Sequence, residues 1–106
     1  MGNYRDGLQI IADILKITEE GVGKTEIMFR GNLSYTLLEN YTKKLLGNGM
    51  LIVDENHKYR RTSEGEEYIE KYEEYKKDSE RVQEELRKLK KEKKDLELFL
   101  VPLPTV

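Results

Sequence analysis

Hydrophobic residues in the first part of the chain recur at three- and four-residue spacing, which is the period of an amphipathic helix. The pattern runs between Tyr4 and Glu20, with Asp6 as a candidate N-cap and Gly21 as a stop signal. Its apolar positions are Leu8, Ile11, Ala12, Ile14 and Leu15. This segment predicts a first helix.

Two further elements are short. Residues 24–30 predict a second helix of about two turns, which Gly31-Asn32 ends. Later in the chain, residues 50–53 form an apolar, partly β-branched run, and residues 54–57 form a polar turn. Residues 58–62 then form a second strand that runs back along the first. These three segments predict a small β-hairpin.

A third helix is predicted between the second helix and the hairpin. It begins near Leu33, with Asn32 or Ser34 as its cap, and ends at Gly47-Asn48-Gly49. Its predicted core face consists of Leu37, Leu38, Tyr41 and Leu45. At about 100° per residue, the opposite face carries Thr36, Glu39, Asn40 and Lys43, with Tyr35 at its leading end.

The last predicted element is a long helix. Ser63-Glu64-Gly65-Glu66 matches a capping box, in which the Ser63 hydroxyl meets the Glu66 amide and the Glu66 side chain reaches back. No glycine follows Gly65 and no proline occurs before Pro102, so the helix is expected over residues 63–98. A core this small cannot bury a helix of that length.

A heptad repeat runs through this helix and predicts pairing with a second copy. The predicted dimerisation residues are Tyr72, Tyr75, Val82, Leu86, Leu89, Leu96 and Leu100, with Ser79 and Lys93 as weaker positions of the same seam. A single solvated helix held by Glu–Lys pairs is the alternative. The apolar, proline-containing tail, residues 99–106, is expected to dock on folded structure, with disorder as the alternative.

Composition limits the possible classes of protein. The 106 residues are 38% charged and contain no cysteine, which excludes disulfides and thiolate metal sites. No apolar run approaches a membrane span and the first residues lack a signal peptide's apolar core, so a cytoplasmic protein without membrane contact is expected. The net charge is −2, with nine cations and eight carboxylates in residues 1–62, so attraction to phosphate would need a local patch.

Three helices followed by a hairpin are the order of a winged helix, in which the third helix enters the DNA major groove. The candidate DNA-binding residues on that helix are Ser34, Tyr35, Thr36, Glu39, Asn40 and Lys43. Asn40 is suited to adenine and Lys43 to guanine or phosphate, whereas Glu39 repels phosphate but accepts from cytosine. An ordinary solvated helix face is the alternative.

The hairpin carries His57, Lys58, Arg60 and Arg61 within five positions. Strand alternation places Lys58 and Arg60 on one face, where they are candidates for DNA phosphates. Arg61 is a third DNA-binding candidate, but it is as well placed to neutralise the acidic start of the last helix. No chemistry is assigned to His57.

No enzymatic function is expected. The sequence has no Ser-His-Asp set, no metal-ligand cluster and no complete phosphate-binding loop, so no catalytic residue, metal or cofactor is predicted. Gly23-Lys24-Thr25 ends like a nucleotide-binding loop, but Thr18 stands where the first glycine should be, and we interpret the match as chance.

Particular residues also resemble a known family. Gly31-Asn32-Leu33-Ser34-Tyr35, Gly49-Met50-Leu51-Ile52 and Thr62-Ser63-Glu64-Gly65-Glu66 resemble the small archaeal DNA-binding proteins of the Sulfolobus "ten-a" type over most of residues 8–90. The resemblance implies a winged-helix homodimer joined by an antiparallel coiled coil, with a role in chromatin or transcription. Members of this type are usually basic, whereas this chain is slightly acidic.

The sequence therefore predicts a mainly α protein with a small β-hairpin. It has a winged helix-turn-helix domain (residues 1–62), a coiled-coil dimerisation helix (63–98) and a tail (99–106). Its predicted function is that of a homodimeric double-stranded-DNA-binding transcriptional regulator or chromatin-associated protein, located in the cytoplasm at the nucleoid. The alternative is a protein–protein interaction module that does not bind DNA.

Overall fold

The computed structural model describes residues 5–105 and contains the predicted elements in the predicted order. The helices are α1 (Gly7–Ile17), α2 (Lys24–Arg30), α3 (Tyr35–Gly47) and α4 (Ser63–Leu98). The strands β1 (Leu51–Val53) and β2 (Tyr59–Arg61) lie between α3 and α4. The mainly α fold class with a small hairpin is therefore confirmed.

The core is built from the apolar faces of α1, α2 and α3 together with the inner face of the hairpin. Ile14, Leu15, Ile27 and Leu45 are completely buried, and burial of such side chains is the main source of stability in a small domain. Asp6 caps α1, as predicted, because its side chain accepts a hydrogen bond from the Gln9 amide.

The turn between α2 and α3 explains the Gly-Asn-Leu-Ser-Tyr sequence. Gly31 ends α2, and Asn32 adopts a positive φ of 52°, which asparagine tolerates better than most residues. Leu33 is buried in the core, and the Ser34 hydroxyl caps α3 by accepting from the Leu37 amide at 3.2 Å. Tyr35 is thereby left exposed at the first position of α3.

The core face of α3 differs from the prediction at two positions. Leu37, expected inside, has 41% of its surface exposed, whereas Thr42 is buried. Leu38, Tyr41, Thr42 and Leu45 fall within an arc of about 100°, and Leu37 lies outside that arc. The Thr42 hydroxyl is satisfied by donating to the Leu38 carbonyl at 2.7 Å, which lets a polar residue occupy the core.

The hairpin is extended by an element that periodicity did not reveal. β1 and β2 are antiparallel, with Ile52 opposite Arg60 and Val53 opposite Tyr59. Val22 forms an additional antiparallel bridge with Tyr59, through bonds of 2.9 Å and 2.7 Å that join their backbones in both directions. This bridge fixes β2 to the segment that leads into α2.

The start of α4 is capped one residue earlier than predicted. Ser63 does not cap the Glu66 amide; instead, the Thr62 hydroxyl accepts from the Gly65 amide at 3.2 Å and donates to the Gly49 carbonyl at 2.6 Å. The Glu66 side chain bonds to Arg61 instead of reaching back to Ser63. Thr62 is preferred because its hydroxyl also satisfies a carbonyl of the preceding loop.

The chain divides into two compact units within α4, the first ending at Glu73 and the second beginning at Glu74. Tyr68 and Ile69 of α4 pack against the core of the first unit, and Lys16 pairs with Glu73 at 2.5 Å. The winged-helix domain of residues 1–62 and the dimerisation helix of residues 63–98 stay predictions. Among the described residues, no helix is apolar and long enough to span a membrane.

Candidate nucleic-acid interface

The outer face of α3 carries the side chains predicted for base reading. Thr36, Asn40 and Lys43 are exposed, and Tyr35 is 63% exposed at the N-terminal end of the helix. The Ser34 hydroxyl is exposed as well but is used to cap α3. The structure therefore brings together an amide, a hydroxyl and an ammonium group on one face of α3, with the Tyr35 phenol exposed at the start of the helix.

Glu39 lies on the same face and is only partly exposed. Its carboxylate accepts from the Lys24 ammonium at 2.5 Å, and this hydrogen bond is the main reason that the pKa of Lys24 is raised. Lys24 is the first residue of α2. The negative charge predicted on α3 is therefore balanced by a cation from the neighbouring helix.

The hairpin presents Lys58 and Arg60 outward, as strand alternation predicted. Arg60 has a weak ion pair with Asp54 at 3.6 Å, while Lys58 has no ion pair among the described residues. The Lys58 ammonium lies 3.8 Å from the position of a Cβ built on Gly23, next to Lys24 in the chain. The Lys58 side chain therefore reaches the residue that precedes α2.

The tip of the hairpin is held by Asp54. One of its carboxylate oxygens accepts from the backbone amides of Asn56 at 2.9 Å and Lys58 at 3.0 Å. The Lys58 amide is the main cause of a lowered Asp54 pKa. His57 has a positive φ of 61° in this turn and is exposed. The closed turn sets the direction in which Lys58 projects.

Arg61 lies beside the acidic start of the last helix, where the second of its two predicted roles, neutralising those carboxylates, would place it. Its side chain is only 14% exposed, and its guanidinium donates to the Leu15 carbonyl and pairs with Glu66 at 3.3 Å and with Glu19 at 3.6 Å. Arg61 therefore neutralises carboxylates at the ends of α1 and α4. Because this guanidinium is mostly buried and already pairs with two carboxylates, we do not use it in the proposed phosphate contacts, and the DNA-binding role of Arg61 stays a prediction.

The predicted dimerisation residues divide between the two units. Tyr72 belongs to the first unit and stacks on Tyr68, with ring centroids 6.3 Å apart. The others lie in the second unit and are exposed in the single chain: Tyr75, Val82, Leu86, Leu89, Leu96 and Leu100. The apolar tail residues Phe99, Val101 and Leu103 are exposed too. Coiled-coil pairing and tail docking stay predictions.

Sequence reasoning missed Lys24 as part of this surface. The signal is present in Gly23-Lys24, which opens the second helix and which we interpret as part of a chance nucleotide-loop match. Its position between α3 and the hairpin depends on the Val22–Tyr59 bridge, a long-range contact. Within residues 5–105, no group of three or more His, Cys, Asp or Glu side chains is arranged to hold a metal ion.

The chain is similar to a known protein family and to known structures. A family model described as winged helix-turn-helix matches residues 4–80. The crystal structure of Sso10a-2, a DNA-binding protein from Sulfolobus solfataricus, is 26% identical with a TM-score of 0.68, covering 96% of this chain and 100% of that one. The resemblance inferred from the sequence motifs is thus confirmed. No curated protein matches the chain.

Two more distant structures share the fold. A multiple antibiotic-resistance repressor (MarR) from Listeria monocytogenes is 17% identical with a TM-score of 0.55, covering 87% of this chain and 73% of that one. The zinc-dependent MarR family transcriptional regulator AdcR, in its Zn(II)-bound state, is 18% identical with a TM-score of 0.52, covering 94% of this chain and 74% of that one.

Proposed function

Because the chain belongs to the winged helix-turn-helix family, we propose that it binds double-stranded DNA, with α3 in the major groove and the hairpin along the phosphate backbone. The observation that carries this proposal is the exposed face of α3, where Thr36, Asn40 and Lys43 lie side by side. Asn40 has the donor and acceptor that pair with adenine, and Lys43 can bind guanine or a phosphate.

The phosphate contacts in this proposal come from outside α3. The cations proposed to bind phosphate are the exposed Lys58 and Arg60 of the hairpin and Lys24 of α2, which reaches Glu39 on the reading helix. Two of these three are already paired, Lys24 with Glu39 and Arg60 with Asp54. Nonspecific attraction is therefore weak for a DNA-binding protein, since such attraction grows with the number of phosphates neutralised.

This charge balance favours a sequence-selective transcriptional regulator over an abundant chromatin-coating protein. A net charge of −2 gives the chain as a whole no general attraction to DNA, so the winged-helix domain must gain most of its own affinity from the matched site. The Glu39 carboxylate contributes by accepting from a cytosine amino group and by repelling other arrangements. A regulator of this kind acts at the nucleoid.

We further propose that two copies pair through the seam of α4. Val82, Leu86, Leu89 and Leu96 follow one another on the exposed second unit, and such a stripe is stabilised by burial against a second helix. Charge favours the antiparallel arrangement. Residues 63–85 carry ten carboxylates and four cations, whereas residues 86–98 carry three carboxylates and six cations, so opposite charges adjoin when the helices run in opposite directions.

The test is a fluorescence-anisotropy titration with a generic DNA duplex at several salt concentrations. The test variant is Lys43→Ala with Lys58→Ala, because both side chains are exposed and neither has an ion pair among the described residues. We expect weaker binding and a slope of log affinity against log salt that is shallower by about 2, roughly 0.9 for each lost phosphate contact.

The matched control is Lys76→Ala with Lys77→Ala, which removes the same charge from the exposed surface of α4. Equal effects of the two double variants would contradict the proposed interface. No binding by the wild type to generic duplex at low salt, followed by failure to select any sequence from a random duplex library, would favour the protein-interaction alternative.

A further inference from the structure

The second half of α4 carries a basic stripe that the winged-helix surface does not use. Six cations and one carboxylate lie within residues 87–94, the highest local density of positive charge in the chain. Four of the cations recur at the helical spacing of three and four residues: Arg87, Lys90, Lys91 and Lys94. We call these four residues the basic stripe and propose that it binds the phosphate backbone of duplex DNA.

The geometry of α4 places the stripe on one face. At about 100° per residue its four members fall within an arc of about 100°. The centre of that arc lies about 130° around the helix from the centre of the apolar seam formed by Leu86, Leu89 and Leu96. Every residue from 87 to 94 is exposed. The stripe is therefore open to a partner while the seam is occupied by a second copy.

Contacts within the helix do not account for the stripe. Earlier along α4, cations pair with carboxylates one turn away, as in Glu67–Lys71 and Asp78–Arg81. In the stripe, Arg87 pairs with Glu84, but Lys90, Lys91 and Lys94 have no ion pair among the described residues. Arg87–Lys91 and Lys90–Lys94 are like-charge pairs at the i,i+4 spacing, which destabilises an isolated helix.

The helix dipole does not explain these cations, and in the heptad repeat a second copy lies beside only one of the four, Lys90 at position e. A cation stabilises the dipole when it lies in the last turn, and the last turn of α4 has no basic residue. In the heptad repeat, Arg87, Lys91 and Lys94 stand at positions b and f, which point away from a coiled-coil partner. Lys91 and Lys94 are therefore available to a ligand from outside the dimer, and Arg87 points the same way while it also pairs with Glu84.

Duplex DNA fits the dimensions and the charge of this stripe. The seven-residue rise from Arg87 to Lys94 is about 10 Å, and the phosphates of one strand follow each other at about 3.4 Å along the axis. The stripe thus matches about three consecutive phosphates. Its cations are carried by long side chains on a regular helix. The contact would therefore follow the DNA backbone and would not distinguish one DNA sequence from another.

The experiment compares two four-fold variants of the full-length protein. The stripe variant carries Arg87→Gln, Lys90→Gln, Lys91→Gln and Lys94→Gln. The control carries Lys71→Gln, Lys76→Gln, Lys77→Gln and Arg81→Gln, which removes four cations that precede the stripe on the same helix. Both are titrated with a generic duplex by fluorescence anisotropy, and their helicity and mass are measured by circular dichroism and light scattering.

We expect the stripe variant to lose at least tenfold in affinity at low salt, with a salt slope shallower by about 3, and the control to change affinity by less than about threefold. Equal losses in both variants would overturn the proposal, because net charge alone would then explain them. A stripe variant that keeps its affinity, or that loses self-association instead, would also overturn it.

The result is independent of the function proposed for α3 and the hairpin. If the Lys43→Ala, Lys58→Ala variant binds like the wild type and the stripe variant does not, the winged-helix interface is wrong and the stripe stands. If the reverse holds, the stripe is wrong and the winged-helix interface stands. A variant that combines both sets of substitutions should lose more affinity than either set alone if both surfaces contact DNA.

Discussion

Lys24 and Glu39 form an ion pair between α2 and α3, with 2.5 Å between the lysine Nζ and the glutamate Oε1. The pair joins a cation at the start of α2 to a carboxylate on the proposed reading face. The pair gives the Glu39 carboxylate a cationic partner on the surface proposed to face DNA. At the same time it engages the Lys24 ammonium group, which would otherwise be free to bind a phosphate. The pair therefore limits nonspecific affinity in two ways.

Replacing Glu39 with glutamine should strengthen binding to generic duplex DNA several-fold. The substitution removes a carboxylate from the reading face and frees the Lys24 ammonium, so the salt slope should steepen by about 1. Anisotropy titrations at several salt concentrations measure both quantities. Glu85→Gln, an exposed position on α4, gives the same change in net charge and serves as the control. Unchanged or weaker generic binding by Glu39→Gln would show that the ion pair does not limit affinity.

Replacing Gly65 with alanine should destabilise the first unit by about 1–3 kcal/mol. A Cβ at this position would lie 2.6 Å from the Met50 carbonyl oxygen and 3.1 Å from a Leu15 methyl carbon, so backbone or core atoms would have to move. Urea unfolding followed by circular dichroism measures the loss. Gly47→Ala is the matched control, because its Cβ would meet nothing within 4 Å. If both variants unfold at the same urea concentration, the close approach at Gly65 is not the reason for a glycine there.

The junction at Thr62–Gly65 also shows how far sequence reasoning reaches. The helices, the hairpin and the Asp6 cap follow from local periodicity and turn residues, and the structure confirms them. Thr62 and Ser63 are equally good caps by residue type. The choice between them depends on the Gly49 carbonyl, which accepts from the Thr62 hydroxyl and lies thirteen residues away in sequence. Such a contact exists only in the folded chain.

The candidate interface shows the same division between local and long-range information. The exposure of Thr36, Asn40 and Lys43 follows from the helical period. Lys24 joins them only because Val22 bridges to Tyr59, which no spacing rule reveals. The sequence does not decide between the two roles of Arg61 for a related reason. Its partners Leu15 and Glu19 lie more than forty residues earlier in the chain. Local pattern thus predicted which face is polar, but not how its charges are paired.

Replacing Leu86 and Leu89 with serine should convert a dimer into a monomer. Both side chains are about half exposed in the single chain and lie on the proposed seam, so their loss removes apolar area from the pairing surface. Size-exclusion chromatography with light scattering gives the mass directly. Glu80→Ser with Glu84→Ser changes the same helix on its outer face and should leave the mass unchanged. A wild-type protein that is monomeric at high concentration would contradict pairing through α4.

Replacing Tyr68 with phenylalanine should lower the free energy of unfolding by about 0.5–1.5 kcal/mol at neutral pH, since the Tyr68 hydroxyl donates to the Leu8 carbonyl at 2.8 Å. Burial is the main cause that raises the pKa of this phenol from 10.0 to about 12. Its contribution is therefore complete below pH 10, where the phenol is protonated in both states. Between pH 10 and 12 the unfolded chain releases the proton first, so the contribution falls as pH rises.

The stability difference between wild type and Tyr68→Phe should accordingly be constant from pH 7 to 9 and shrink at pH 11. Taking the difference cancels the titration of the other tyrosines and the lysines, which both proteins share. Urea unfolding at the three pH values provides the measurement, and Tyr35→Phe, which alters a phenol that is 63% exposed, provides the control. A difference that is the same at pH 11 as at pH 7 would mean that the Tyr68 phenol ionises as readily in the folded chain as in the unfolded one.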